Sequence, residues 1–171
     1  MANSIKTPAR KSQDQDLSSK SQEFDYTMMD SKQRARMKEM RLTRMFCDVT
    51  LVAGNVEIPA HNIILASSSD YFWSMFTIEW KEKESSRITI KDVEPGILTL
   101  LVEYCYTRKI VITEDNVGNI FIASKMLLFK EVTETCSQFM KNNIQPDNCL
   151  GIKAFAKVHD DTDLISFFTN S

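Results

Sequence analysis

The residues in this chain best suited to chemistry are four cysteines, Cys47, Cys105, Cys136 and Cys149, and two histidines, His61 and His159. Thiolates and imidazoles make zinc sites when they pair a few residues apart, and nucleophiles when a base stands beside the sulfur. Neither pattern is present: the cysteines are far apart, each lies among apolar neighbours, and no ligand pair forms with the histidines. Buried structural thiols are the expectation. A redox-sensing thiol needs a basic neighbour to lower its pKa, and Cys105, with Arg108 three residues on, is where the sequence offers one. His61 is expected to be a hydrogen-bonded histidine at a helix start rather than a base or a ligand. With no Gly-rich phosphate loop, paired catalytic carboxylates or nucleophile motif, the sequence points to no enzyme, no metal and no cofactor.

A different residue set has the makings of a contact surface. Trp80 stands among Glu79, Lys81, Glu82, Lys83 and Glu84. A large apolar side chain in a charged surround has the anatomy of an interface anchor inside a polar rim. The alternative is that Trp80 folds back onto its own domain.

The elements that must position these residues follow from periodicity. Asp48 opens a strand with Val49 and Leu51 on one face. Gly54-Asn55 supplies the positive φ angles of a tight turn, and Val56 and Ile58 return antiparallel until Pro59 stops the sheet. His61-Asn62 opens an apolar stretch, Ile63-Ile64-Leu65-Ala66, and Ser67-Ser68-Ser69 with Asp70 offers caps for a second helix carrying Phe72, Trp73, Met75 and Phe76. A polar loop over residues 78–86 leads to a short alternating strand, residues 87–90. Asp92 and Pro95 start a helix with Ile97, Leu100, Leu101, Tyr104 and Cys105 at helical spacing, and a brief strand is expected over residues 109–112. Thr113 and Asp115 then cap a helix with Val117, Ile120, Phe121, Ser124, Leu127 and Leu128 on one face, and the next buries Val132, Cys136, Phe139 and Met140.

Upstream, residues 1–23 are rich in Ser, Gln, Lys and Asp and are expected to form a flexible tail. Residues 24–44, with Asp30 and Gln33 spaced like a capping box and with Ala35, Met37 and Met40 among alternating charges, read as an amphipathic helix. Its methionine face fits packing on its own core and packing on another molecule equally well. The chain of 171 residues, 43% hydrophobic, is long enough for one sizeable core. Its 21 basic against 23 acidic residues, net charge −2, give no reason to expect nucleic acid or an anionic membrane as partner. Apolar runs are too short to span a bilayer and the start has no apolar stretch for a signal peptide, so cytosol or nucleus is expected.

The wording CDVTL at residues 47–51, Ala60-His61, Leu65-Ala66 followed by three serines, Tyr71-Phe72 and Met75-Phe76 resembles a BTB/POZ domain of the kelch-like family, and so does the order of elements through residue 144. The resemblance implies an α+β BTB/POZ fold, a short mixed sheet flanked by a cluster of helices, over residues 24–144. It also implies a homodimer, or a mixed dimer with another BTB protein, in which the first helix packs across a two-fold axis. Met37-Lys38-Glu39-Met40-Arg41 stands where the family has its L-N-x-L-R stretch, and this puts Met37 and Met40 in the dimer interface. Asp48 matches a buried interface aspartate that in many relatives faces a basic residue after the Ala-His pair. Here that residue is Asn62, so Asp48 is held by Asn62, by backbone N–H groups or by another cation.

In the kelch-like family a hydrophobic residue, any residue and a glutamate in the loop after the helical pair engage cullin-3, the scaffold of a ubiquitin ligase. Trp80, Lys81 and Glu82 stand on that pattern. Residues 145–171 resemble the helices that follow a kelch-like BTB domain and begin a BACK domain, expected here as a truncated helical segment with Leu150, Ile152, Ala154, Phe155, Val158 and Leu164 on its buried side. The reading is a BTB adaptor that docks to cullin-3 and takes no small-molecule substrate. The alternative is a dimerising BTB protein without cullin binding, acting in transcription or as a competitor of longer relatives.

Overall fold

In the computed structural model, which describes residues 31–79 and 86–169, strand β1 (Val49–Ala53) lies in the middle of a three-stranded mixed sheet of order β2-β1-β3. It pairs antiparallel with β2 (Val56–Ala60) and parallel with β3 (Arg87–Thr89). Alternation decides which way β1 faces: Val49, Leu51 and Ala53 are buried, while Thr50 and Val52 are half-buried. Ala53 faces Val56 across a two-residue turn in which Gly54 alone takes a positive φ, 55°. Asn55 stays in ordinary backbone, the pattern of a II′ turn with glycine first rather than of a turn with two left-handed residues.

Helix α1 (Ser31–Leu42) precedes the sheet, and α2 (Asn62–Ala66), α3 (Asp70–Ser74) and a π-helical turn (Met75–Glu79) follow β2. The Ser69 hydroxyl accepts from the Phe72 N–H at 3.2 Å and donates to the Leu127 carbonyl at 2.6 Å, so the cap that starts α3 also anchors it to a distant turn. Helix α4 (Pro95–Thr107) is the hub and meets α1, α2, β2 and α5 (Val117–Met126). Its buried set, Ile97, Leu98, Leu101, Val102, Tyr104, Cys105 and Tyr106, runs almost all round, as befits a helix enclosed by others. Helices α5 and α6 (Lys130–Asn142) pack as a pair, and α7 (Cys149–Val158) and α8 (Thr162–Thr169) complete the described fold. Phe72 sits at the centre, stacked on Phe76 at 6.0 Å and meeting the edge of Phe129 at 6.3 Å.

Several local expectations are corrected. Pro59 does not stop the sheet: it lies inside β2 opposite Thr50, tolerated because β2 is an edge strand whose outer N–H groups need no partner. Residues 109–112 form no strand; Ile110 and Ile112 lean on the core while Val111 is exposed. Asp92 does not cap α4, because its own φ is 60° and Glu94 stands at the cap position ahead of Pro95. Asn116 replaces Thr113 and Asp115 at the start of α5, its side-chain oxygen accepting from the Thr113 N–H at 2.8 Å. Leu128 and, on α7, Leu150, Ala154 and Val158 face outward, whereas Ala156 and Leu164 are buried. The tail over residues 1–23, the part of the first helix before Ser31 and most of the loop after Glu79 lie outside the described residues.

Candidate interaction site

Helix α1 has one face tied down and one left open. Arg41 is buried, pairs with Glu103 of α4 at 2.6 Å and lies over the Tyr106 ring at 5.1 Å, and Lys38 pairs with the same carboxylate. Burial alone would raise the Glu103 carboxyl, but Lys38 and Arg41 together outweigh it and hold the group below the ordinary carboxylate value.

About 60° from each other on the helix wheel, Met37 and Met40 stand round the helix from that pair, Met37 half-buried against the core. With Phe46, Asp48, His61, Ile63 and Ile64 they line a shallow recess of about 270 Å³. Phe46 is 77% exposed and Ile63 71% exposed, large for apolar side chains beside such a recess. Phe46 also holds φ at 58°, and Arg44 at 57°. For an aromatic residue left-handed backbone costs about 1–2 kcal/mol, and burial of Phe46 within this chain does not offset it.

The floor of the recess is rigid. The backbone N–H of His61 donates to the Tyr106 hydroxyl at 2.9 Å, which turns the single hydroxyl proton toward His61 Nδ1 at 2.7 Å. Nε2 therefore carries the ring proton and donates to the Met45 carbonyl at 2.9 Å. Burial, above all, pushes the Tyr106 hydroxyl up, so it remains a donor. Cys47 Sγ lies 3.8 Å from Nε2, but burial and then the charge of Asp48 raise its pKa, and the pair is no nucleophilic dyad. Cys105, the other candidate thiol, is pushed up to about 12, chiefly by burial. Arg108 pulls it down without offsetting burial, and its guanidinium pairs with Glu131 and lies over the Tyr104 ring at 4.6 Å.

Asp48 is exposed in the single chain, not buried as expected. Its Oδ1 accepts from the backbone N–H of Asn62 at 2.7 Å and so serves as the first acceptor for α2, whose cap residue His61 makes no side-chain cap bond. Of the proposed dimer residues, Met37, Met40 and Asp48 share the recess and Asn62 joins through its backbone. Trp80, Lys81 and Glu82 lie outside the described residues. A second apolar cleft, about 350 Å³, opens among α5, α6 and α7 between Val117, Phe139, Ile152 and Phe155.

Residues 37–144 match the BTB/POZ domain family. The chain belongs to the BTB/POZ family. Kelch-like protein 2 of mouse is 45% identical over 130 residues, which is 76% of this chain and 22% of that protein. Kelch-like protein 3 of human is 43% identical over 129 residues, 75% of this chain and 22% of the relative. The chain thus spans less than a quarter of the length of these kelch-like relatives. Among solved structures, the BTB domain of zebrafish PATZ1 superposes with a TM-score of 0.63 at 26% identity, over 72% of this chain and 100% of that one. The chain is a BTB module of kelch-like type, a protein-interaction fold, and at the α1 recess an exposed aromatic, Phe46, coincides with left-handed backbone.

Proposed function

We propose that this BTB module dimerises through the α1 recess and that the dimer is an adaptor for cullin-3. The observation that carries the first part is Phe46, an aromatic residue in left-handed backbone and 77% exposed, beside Met37, Met40 and Ile63. A second copy that covers this face relieves the exposure and gives the strain a purpose. Stable interfaces of this kind bury roughly 2,000 Å² or more.

The cullin-3 part is supported by the kelch-like relatives and by the pattern Trp80-Lys81-Glu82. The unit responsible is residues 24–144, with residues 145–171 as a helical annex, acting in the cytosol or nucleus. Pulldown of purified cullin-3 by the chain, repeated with Trp80→Ala and Glu82→Lys, tests it. The expected result is capture by the parent chain and a loss of about 2 kcal/mol or more in Trp80→Ala with unchanged far-ultraviolet circular dichroism. A chain that dimerises but captures no cullin-3 leaves self-association as the function.

A further inference from the structure

Asp48 brings a charge to a surface that is otherwise apolar. One oxygen accepts the Asn62 N–H, and among the described residues the other has no hydrogen-bond or ion-pair partner. The remaining lining of the recess, Met37, Met40, Phe46, His61, Ile63 and Ile64, contains no lysine or arginine, and Asn62 supplies no charge from the side chain that follows His61. Closing two apolar faces over two such carboxylates is unfavourable unless a cation arrives with the covering surface.

Helix α1 carries that cation. It holds Lys32, Arg34, Arg36, Lys38 and Arg41 against the single acid Glu39, and Glu103 already engages Lys38 and Arg41. Arg36 is exposed, has no ion pair among the described residues, and precedes Met40 by four positions, which sets it one turn away on the recess side of the helix. Arg44, the other exposed cation nearby, lies beyond the end of α1 in left-handed backbone, off the face that Arg36 and Met40 share. In a two-fold dimer every contact occurs twice, so one arginine per chain suffices for both carboxylates.

We propose that the partner selected by this face is a second copy of the chain whose Arg36 ion-pairs with Asp48, reciprocally across the two-fold axis, and that this pair discriminates between chains that can and cannot dimerise with it. The proposal rests on the dimer reading above.

Sedimentation equilibrium of the full chain and its variants tests it. Arg36→Glu and Asp48→Arg should each raise the dimer dissociation constant at least tenfold, because like charges then face each other. The double variant should recover to within threefold of the parent. The two single variants mixed one to one should form the mixed dimer in preference to either homodimer, since both contacts are then complementary. Arg44→Glu should change the constant less than threefold. Asp48→Asn keeps an oxygen for the Asn62 N–H, so it guards against a folding defect; in that background Arg36→Glu should have little further effect. Single variants that dimerise as tightly as the parent, or a double variant that does not recover, overturn the pairing while leaving the dimer intact. A parent chain that is monomeric overturns the dimer reading and the pairing together.

Discussion

The α1 recess and the cleft among α5, α6 and α7 treat the apolar side chains that line them in opposite ways. At the C-terminal side, Asp161 is buried, accepts the N–H groups of Asp163 and Leu164 at 3.1 Å each, and takes the Ser137 hydroxyl on its other oxygen. Leu164 is fully buried beneath that cap, Phe155 packs on Phe121 at 5.4 Å, and the Lys125 ammonium closes the end of α7 on the His159 carbonyl. Left-handed backbone occurs there too, at Asp160 with φ 48°, but a short polar side chain tolerates it cheaply. Every large apolar side chain lining the second cleft is at least half-buried. At the α1 recess the strain falls on Phe46, and Phe46 and Ile63 are left outside. Leu150 and Val158, outside the cleft, stand about as open as Phe46 and Ile63, so exposure alone does not separate the two regions; what sets the α1 recess apart is that its open aromatic also carries left-handed backbone.

The comparison breaks most visibly in double charge insertion. Met40→Asp together with Phe46→Asp should abolish dimers at micromolar concentration, since about 2 kcal/mol at each of two symmetric sites multiplies to roughly a thousandfold in the dissociation constant. The folded monomer should keep its helical circular dichroism; dimers that survive would show that the wrong face was chosen. The counterpart on the other side is Leu164→Ala. It should lower unfolding free energy by about 3 kcal/mol in urea titrations, as truncation of a buried leucine does, while the mass in solution stays that of the parent. A variant with unaltered stability would mean α8 is not docked.

A subtler test separates the tied face of α1 from the open one by pH. Glu103 is held below the ordinary value of 4.5, so its stabilisation is complete above that value and is lost as pH falls through the depressed one. Glu103→Gln should therefore cost about 1 kcal/mol near neutral pH and nothing once the parent's carboxyl is protonated. Parallel melting curves from pH 7 down to pH 3 would read this as two Tm profiles that converge; parallel profiles would contradict it. Smallest of all is the thiol contrast. Burial pushes Cys105 and Cys136 to about 12, so at pH 8 a maleimide should modify half-buried Cys149 well before either of them. Prompt labelling of Cys105 would reopen a redox role.

Much of this was legible in the residues. The hairpin, the serine cap of α3 and the order of elements follow from period-two alternation, turn chemistry and capping, all of which are local. Pro59 and residues 109–112 misled for one reason: whether a strand tolerates proline, or an alternating segment finds a ladder, depends on where the sheet edge lies, and that is set by tertiary pairing. Asp92 misled because a good capping residue can equally occupy left-handed backbone. Spacing and family resemblance single out Met37, Met40 and Asp48, which the fold gathers at one recess, but not Glu103. The surplus of cations on α1 called for an acid, and only the packing of α1 on α4 identifies which one. Phe46 was visible as an apolar residue and not as a strained, exposed one, because φ and accessibility are properties of the folded chain.

The central claim, that the α1 recess is covered by a second copy, is tested most directly by the mass of the parent chain in solution. Light scattering behind size exclusion at micromolar concentration should give the mass of two chains, falling to one in the Met40→Asp, Phe46→Asp variant. A single-chain mass for the parent across that range would contradict it.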